Sequence, residues 1–304
     1  MKIELKDIVK NYDNVEAVKN VSFTALGKQI IGLVGRNGAG KTTLIKMLMG
    51  IIKPDAGKIE ISYYDNENHK VGFLPEERGL YLNMTVKEQL LFIAMLNGLS
   101  KKEGLENIKY YLTQLGILEY LNTKVKKLSK GNKQKIQLIS SLVHDPNLII
   151  LDEPFSGLDP INAKVLKNLL ETLQSNGKTI ILSSHRLEDI EQMCDYVIFL
   201  KKGEIIVQGD IQSVKSKYYY KNEFLLNVNK DIDNYLGKHT IKFEKINNNN
   251  YILESDSFSS IANLLKDVSD NEIEILKIEK RQVSLSDIFV KELNDESQEN
   301  IIRI

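Results

Sequence analysis

The segment Gly35–Thr43, GRNGAGKTT, places the strongest constraint on the fold of this 304-residue chain. It fits the pattern G-x-x-x-x-G-K-[ST] and stands between the apolar run KQIIGLVG and a helical pattern over Lys41–Met49. In such a loop, glycines let backbone N–H groups converge on phosphate oxygens, and the following helix adds partial positive charge at its N-terminus. The segment therefore predicts an α/β fold of the P-loop NTPase type, with a buried strand, a phosphate-binding loop and a helix in succession.

The side chains of this loop indicate a nucleoside triphosphate bound with magnesium. We expect Lys41 to bridge the β- and γ-phosphates and the Thr42 hydroxyl to ligate Mg²⁺. The predicted cofactors are therefore ATP and Mg²⁺. The loop residues predicted to contact ATP are Gly35, Arg36, Asn37, Gly38, Ala39, Gly40, Lys41, Thr42 and Thr43.

A second motif, LIILDEP over Leu148–Pro154, supplies the acidic half of the same site. Its apolar residues predict a buried strand that delivers Asp152 to its carboxyl end, where Mg²⁺ is expected beside the phosphate loop. Glu153 follows directly and is positioned to accept a proton from an attacking water. Taken alone, an apolar strand followed by Asp-Glu-Pro is also compatible with a structural end cap, and the preceding phosphate loop favours the catalytic interpretation.

The remaining pattern predicts two domains. Strands alternate with helices up to residue 215, which predicts a parallel sheet covered on both faces, interrupted by a helical subdomain over about 84–132. Thr85, with Glu88 three residues later, is the predicted N-cap of the first inserted helix. We place a linker at 216–222. Residues 223–304 then predict a small α+β accessory domain of ferredoxin-like βαββαβ order.

Composition excludes several other classes of protein. Lysine plus arginine and aspartate plus glutamate are balanced at 41 each, so no overall charge attracts nucleic acid, and no nucleic-acid partner is expected. The single cysteine, Cys194, precludes an intramolecular disulfide and is predicted to lie in the core. The longest apolar stretch, Leu90–Leu96, is far shorter than the roughly 20 residues that cross a bilayer. We therefore expect a soluble chain.

These motifs, with others in the same order, resemble the nucleotide-binding subunits of ATP-binding-cassette (ABC) transporters over residues 1 to about 215. Within the resemblance, Tyr12 matches the aromatic residue that stacks on adenine, with Val18 beside it. His185, in the sequence LSSH, matches the histidine that contacts the γ-phosphate. The resemblance thus adds Tyr12 and Val18 to the predicted ATP contacts, and His185 to Glu153 and Lys41 as predicted catalytic residues.

The resemblance also implies that the site is shared between two chains. LSKGN, over 128–132, matches the family signature, whose Ser129 and Gly131 would contact the γ-phosphate held by an opposing subunit. SGLD, over 156–159, matches the loop that joins two ATP sites across the dimer through Asp159. The implied partners are a second copy of this chain, or a paralogous ATPase subunit, and an integral membrane permease.

LPEERGLY and a small C-terminal domain ending in SLSDIF narrow the resemblance to the bacterial exporter branch that includes sodium-efflux and lantibiotic-immunity ATPases. This branch implies a peripheral location on the cytoplasmic face of the membrane. Two departures from the family pattern stand out. Glu76 replaces the usual glutamine, so a carboxylate is offered to Mg²⁺ in place of an amide. Lys130 and Asn132 replace a glycine and a glutamine of the signature.

Two other functions are compatible with parts of this pattern. A soluble cassette protein that acts on ribosomes or DNA is one alternative, but such relatives typically carry two cassettes or a long coiled-coil insert. A P-loop kinase for a small molecule is the other, and it leaves the signature, SGLD and His185 unexplained.

Overall fold

The computed structural model describes residues 1–62, 70–77, 79–220, 222–239, 241–255, 257–293 and 301–303. These residues divide into two compact units, Met1–Ile211 and Gln212–Ile304. The division lies four residues before the predicted domain end at 215. Within the described ranges, no helix is long and apolar enough to cross a membrane.

Unit 1 is built from a parallel sheet, an antiparallel sheet and helices around them. Its strands are β1 (Lys2–Tyr12), β2 (Val15–Leu26), β3 (Ile30–Gly35), β4 (Ala56–Ser62), β5 (Val71–Leu74), β6 (Leu148–Asp152), β7 (Thr179–Ser183), β8 (Tyr196–Lys201) and β9 (Glu204–Asp210). Its helices are α1 (Lys41–Leu48), α2 (Val86–Leu96), α3 (Lys101–Gln114), α4 (Lys130–Leu142), α5 (Pro160–Ser175) and α6 (Leu187–Met193), and short 3₁₀ turns lie at Leu118–Tyr120 and Val125–Lys127.

The larger sheet has the strand order β5-β6-β7-β3-β8-β9. All neighbouring pairs are parallel except β8 and β9. Every residue of β3, β6 and β7 is buried, as expected for strands covered on both faces. The mixed α/β fold predicted from the sequence is therefore confirmed. The antiparallel strand β9 was not predicted, because its turn at Lys202–Gly203 follows a strand with no motif to announce a hairpin.

A smaller antiparallel sheet, in the order β2-β1-β4, lies beside the phosphate loop. Its inward-facing side chains, such as Leu5 and Val21, share a hydrophobic core with Leu33 of β3 and with Leu44 and Ile45 of α1. This shared core ties the helix after the loop to both sheets.

The first helix of the helical insert, α2, begins where the sequence predicts. Thr85 caps α2, and the reciprocal hydrogen bonds with Glu88 form the expected capping box. The sequence pattern predicts a further helix over 133–145, and in the structure this helix, α4, begins earlier, at Lys130. The reason is that Ser129 is itself an N-cap, its Oγ accepting the Asn132 N–H at 3.2 Å. Most of the LSKGN segment is therefore the first turn of a helix.

Helix α7 (Ile211–Ser216) spans the division between the units. Unit 2 continues with the strands β10 (Tyr218–Tyr220), β11 (Glu223–Val228), β12 (Lys242–Asn247), β13 (Asn250–Glu254), β14 (Ile275–Lys280) and β15 (Ile301–Arg303), and with the helices α8 (Asp233–Leu236), α9 (Phe258–Asp270) and α10 (Leu285–Leu293). Sheet β12-β13-β11-β14 is antiparallel throughout. From β11 to β14 the elements follow the βαββαβ order of ferredoxin-like domains.

The core of this sheet is formed by Leu226, Tyr251 and Leu253 on the strands and by Ile261 and Leu264 on α9. The segment predicted as a linker differs from expectation, because it contains β10, which pairs with β15. Lys221 of that segment lies outside the described residues.

Candidate active site

The carboxyl ends of four neighbouring strands meet at one edge of the parallel sheet. Strand β3 ends at Gly35, β6 at Asp152 and β7 at Ser183, and Asp152 and Ser183 are register partners. Strand β5 ends two residues before Glu76. Since parallel strands place the segments that follow them at the same edge, side chains far apart in sequence are gathered there.

A cavity of about 1190 Å³ opens at this edge. It is large for a small-molecule pocket, for which about 300–1000 Å³ is usual. The predicted site residues that line it are Asn37, Gly38, Ala39, Gly40, Lys41, Thr42, Thr43, Glu76, Asp152, Glu153 and His185. The tertiary structure thus brings together the phosphate loop, the acidic strand end, Glu76 and the histidine.

The phosphate loop takes a shape that only glycine tolerates at two positions. Gly38 and Gly40 have φ angles of 79° and 103°, in the left-handed region. A Cβ atom on Gly40 would stand 2.6 Å from the Ala17 carbonyl oxygen. The loop is also held from the β8–β9 turn, where the Gly203 N–H donates to the Ala39 carbonyl at 3.1 Å.

Lys41 is 9% exposed, and its ammonium is folded into the loop. Its Nζ donates to the Gly35 carbonyl at 2.6 Å and to the Arg36 carbonyl at 3.3 Å. The cation is therefore held at the base of the loop by backbone oxygens that a bound phosphate can replace.

The cavity lining fits a phosphate chain with a divalent cation. It combines the Lys41 ammonium and the hydroxyl-bearing Thr42 and Thr43 with the carboxylates of Asp152 and Glu76. Within the described part of the chain, no cluster of three or more His, Cys, Asp or Glu side chains could hold a metal alone. Mg²⁺ suits such a lining, because it is usually held by one or two protein oxygens together with phosphate oxygens and water.

One serine hydroxyl organises the acidic strand end. Ser183 is fully buried, and its Oγ donates a hydrogen bond to the Asp152 carboxylate. The same oxygen accepts the Glu153 N–H at 3.0 Å. Glu153 has a φ of 51°, a strained value for a residue other than glycine. Ser183 therefore fixes the carboxylate of one acidic residue and the strained backbone of the next, and no sequence motif pointed to it.

Glu153 and His185 form a pair at the mouth of the cavity. His185 Nδ1 lies 2.8 Å from Glu153 Oε2, and the imidazole is 65% exposed whereas the carboxyl side chain is 12% exposed. Burial raises the pKa of Glu153 above its ordinary value, and His185 opposes this rise through its charge and hydrogen bond. A carboxylate with a raised pKa is a stronger base than an ordinary glutamate, which suits proton abstraction near neutral pH.

The two predicted adenine contacts, Tyr12 and Val18, lie outside the cavity lining in the described part of the chain. Val18 is 1% exposed and belongs to the core beneath Gly40, so its side chain is absent from the cavity lining of the described chain. Tyr12 is 45% exposed at the end of β1, with Lys10 Nζ at 5.7 Å from its ring centroid, and it also stands outside that lining. Val15, 65% exposed, lines the cavity instead. Gly35 and Arg36 contribute through the carbonyl groups that hold Lys41.

Sequence reasoning missed several residues that line the cavity: Asn14, Val15, Glu16, Ala17, Lys19, Ser156 and Lys202. Most lie at the start of β2 or in the turn before it, whereas Lys202 lies in the β8–β9 turn and Ser156 belongs to the SGLD motif. Gly203 was a weak signal for the β8–β9 turn, because glycine readily takes the positive φ that a two-residue hairpin turn requires, but Lys202-Gly203 is not one of the favoured pairs.

The signature residues do not line the cavity of their own chain, as far as the structure describes it. Ser129 is exposed at the N-terminus of α4, and outside the local helix backbone no atom of the described residues lies within 4 Å of a Cβ built on Gly131. Asp159 caps α5, its Oδ1 accepting the Asn162 N–H at 2.9 Å. Lys130 lies against Gly157, so the signature and the SGLD loop are neighbours.

Comparison with known proteins finds relatives along nearly the whole chain. Residues 18–156 match the family model described as ABC transporter. An uncharacterised ABC transporter ATP-binding protein of Methanocaldococcus jannaschii is 38% identical over 291 residues, covering 96% of this chain and 99% of the relative. The bacitracin transport ATP-binding protein BcrA of Bacillus licheniformis is 33% identical, covering 95% of this chain and 96% of BcrA.

A solved structure of the ATP-binding subunit of an ABC transporter is also similar. It matches with a TM-score of 0.65 and 30% identity, covering 71% of this chain and 92% of its own.

Proposed function

Because the chain belongs to the family of ABC transporter ATP-binding subunits, we propose that two copies close around ATP and power export through a separate membrane-spanning polypeptide. Members of this family bind ATP with Mg²⁺ and hydrolyse it, and the chain is an ATPase of this kind. Such subunits dimerise and pair with membrane permeases as a general property of the family. The proposal assigns these properties to particular residues.

In the proposed mechanism, each residue at the sheet edge has a separate role in ATP hydrolysis. Lys41 binds phosphate oxygens, while Thr42 and Asp152 would hold Mg²⁺, with Glu76 as a further oxygen ligand. Bound ATP with Mg²⁺ supplies the phosphoanhydride that is cleaved. Glu153 takes the proton from the attacking water, and His185 contacts the terminal phosphate. Catalysis in such a site rests on positioning and electrostatic stabilisation.

The location of the signature residues is the observation that supports the proposed dimer. Ser129 is exposed and Gly131 faces open space, and neither lines the cavity of its own chain within the described residues. At the N-terminus of the 13-residue helix α4, backbone N–H groups and the helix dipole favour an anion. A second copy would present this helix end to the ATP held by the first, and Asp159 would lie in the same interface.

Mixing two inactive variants tests this arrangement. Lys41→Ala removes the phosphate-binding cation, and Ser129→Arg blocks the helix end that approaches the other chain. Each variant alone should hydrolyse ATP at least about a hundredfold more slowly, because each loses a group that stabilises the phosphate charge. In a dimer of one Lys41→Ala chain and one Ser129→Arg chain, one composite site is intact, so the mixture should regain hydrolysis. If both functions belonged to one chain, the mixture would be no more active than the separate variants.

The helical insert offers a surface for the membrane partner. Exposed apolar side chains follow one face of α2 at Phe92, Met95 and Leu96, and the Tyr81 ring lies edge-on to Phe92 at 6.4 Å. These residues form the proposed docking surface for a cytoplasmic segment of the permease, which would hold the chain at the cytoplasmic face of the membrane. Purification from detergent-extracted membranes should recover a membrane-spanning polypeptide, whereas recovery with ribosomes or DNA would contradict the proposal.

A further inference from the structure

Helix α4 carries a pair of glutamines that reach toward the two acidic segments of the cavity. Gln134 Nε2 donates to the Pro154 carbonyl, next to Glu153, at 2.9 Å. Gln137, three residues later on the same side of the helix, contacts the segment around Glu76.

Gln137 makes a more specific contact than Gln134, because its amide reaches two backbone carbonyls instead of one. Its Nε2 donates to the Pro75 carbonyl at 3.2 Å and to the Glu77 carbonyl at 2.9 Å. A primary amide has two N–H donors, so a single group can satisfy both carbonyls. These carbonyls flank Glu76 on either side, and Gln137 itself is only 7% exposed. The backbone is thus held immediately before and after the residue whose side chain lines the cavity.

We propose that Gln137 is a positioning residue that holds Glu76 at the cavity and links it to the helix whose N-cap is Ser129. Because α4 is continuous from Lys130 to Leu142, a displacement of its N-terminus is carried to Gln137 about 10 Å along the helix. The backbone around Glu76 then moves with it. This inference rests on the proposed role of Glu76 toward Mg²⁺ and on the proposed contact at Ser129.

Two substitutions remove the donors of Gln137 without leaving a large void. Gln137→Leu replaces the amide with an apolar group of similar size, and Gln137→Glu keeps the shape but offers only acceptors when ionised. We expect either change to raise the Mg²⁺ concentration for half-maximal ATP hydrolysis by about tenfold, since small displacements of a positioned group have large effects. Asn107→Ala is the matched control, because the Asn107 amide holds the other end of α4 through the Val143 carbonyl at 2.9 Å.

A double-mutant cycle and a measurement without nucleotide separate the inference from a general loss of structure. In a Glu76→Ala background, Gln137→Leu should cause no further change in the Mg²⁺ dependence. In the nucleotide-free protein, hydrogen–deuterium exchange over residues 74–77 should accelerate in both Gln137 variants and remain unchanged in Asn107→Ala.

The inference is overturned if the effects of Gln137→Leu and Glu76→Ala on the Mg²⁺ dependence are additive. It is also overturned if hydrogen–deuterium exchange over residues 74–77 does not change in the Gln137 variants. A different result would count against the proposed function alone. If Glu76→Ala leaves the Mg²⁺ dependence unchanged while exchange over 74–77 still responds to Gln137, then Gln137 positions the segment and the metal role of Glu76 is wrong.

Discussion

The two units of this chain use similar elements, helices packed on a sheet, with opposite consequences for chemistry. In unit 1, β5, β6, β7 and β3 run in the same direction, so the segments that follow them converge at one edge. In unit 2 neighbouring strands of the sheet β12-β13-β11-β14 are antiparallel, so the carboxyl ends of adjacent strands fall at opposite edges. Topology therefore concentrates functional side chains in one unit and disperses them in the other.

The charged groups of the two units differ in the same way. In unit 2, Arg281 Nη1 lies 2.6 Å from the buried carboxylate of Glu223, and Lys245 is paired with both Asp231 and Asp233. These charges are compensated within the unit, and the hydrogen bonds to Asp231 and Asp233 raise the pKa of Lys245. In unit 1, Asp152 and Glu153 face the cavity, and burial raises the pKa of Glu153. Side chains of unit 2 thus compensate these charges, whereas the acidic groups that line the cavity of unit 1 are open to a bound ligand.

The largest expected effect in unit 1 is that of Glu153→Gln. The amide keeps the shape of the side chain but cannot accept the proton of the attacking water, so hydrolysis should fall by roughly 10²–10⁴-fold. ATP binding should remain, and an ATP-dependent dimer should accumulate in size-exclusion chromatography with light scattering. Hydrolysis at the normal rate would show that Glu153 is not the base.

Ser183→Ala should have an intermediate effect, since it removes the hydroxyl between Asp152 and the Glu153 backbone. Hydrolysis should slow by about tenfold at saturating ATP and Mg²⁺, with little change in KM, because the positions of two carboxylates are disturbed. Ser183→Thr should recover part of the rate. Ser141→Ala is the control, because that buried hydroxyl donates within its own helix, to the Leu138 carbonyl at 2.7 Å. Equal losses in Ser183→Ala and Ser141→Ala would indicate a structural effect alone.

Leu253→Ala should have the smallest effect on hydrolysis and a large effect on stability. Leu253 is fully buried in the core of unit 2, so its truncation should lower the free energy of unfolding by about 2–5 kcal/mol. The hydrolysis rate per folded molecule should change by less than about twofold, since the residues of the cavity belong to unit 1. Denaturant unfolding and ATPase assays on one preparation measure both. A tenfold loss of hydrolysis would show that the accessory unit takes part in turnover.

The parts of the site that were predictable are those whose chemistry is local in sequence. GRNGAGKTT and LIILDEP carry their own strand, turn and acidic or basic groups, so Lys41 and Asp152 could be assigned without tertiary information. The bridging role of Ser183 could not be assigned this way, because its partners lie 30 and 31 residues away and are reached only across the β6–β7 pair. Val18 was predicted to contact ATP from its position in the family resemblance. Side chains along β2 alternate between the two faces of the sheet, and this alternation places Val18 in the core.

Local signals also misplaced the start of α4 and missed β9. The glycine in LSKGN favours a loop, but the Ser129 cap and the packing of Ile136 and Ile139 extend the helix to Lys130. Strand β9 forms a hairpin with β8, and the pair Lys202-Gly203 that joins them is not one of the pairs that most strongly signal a hairpin turn.

The order of residues alone determined the phosphate loop, the acidic end of strand β6 and the α/β class, since glycine torsion angles, helix capping and apolar periodicity act over a few neighbouring residues. Only the tertiary structure decided which side chains share the cavity, that Ser183 joins the two carboxylate residues, and that Gln137 holds the backbone around Glu76. Those contacts depend on strand order and on helix position, and neither is encoded within a short stretch of chain.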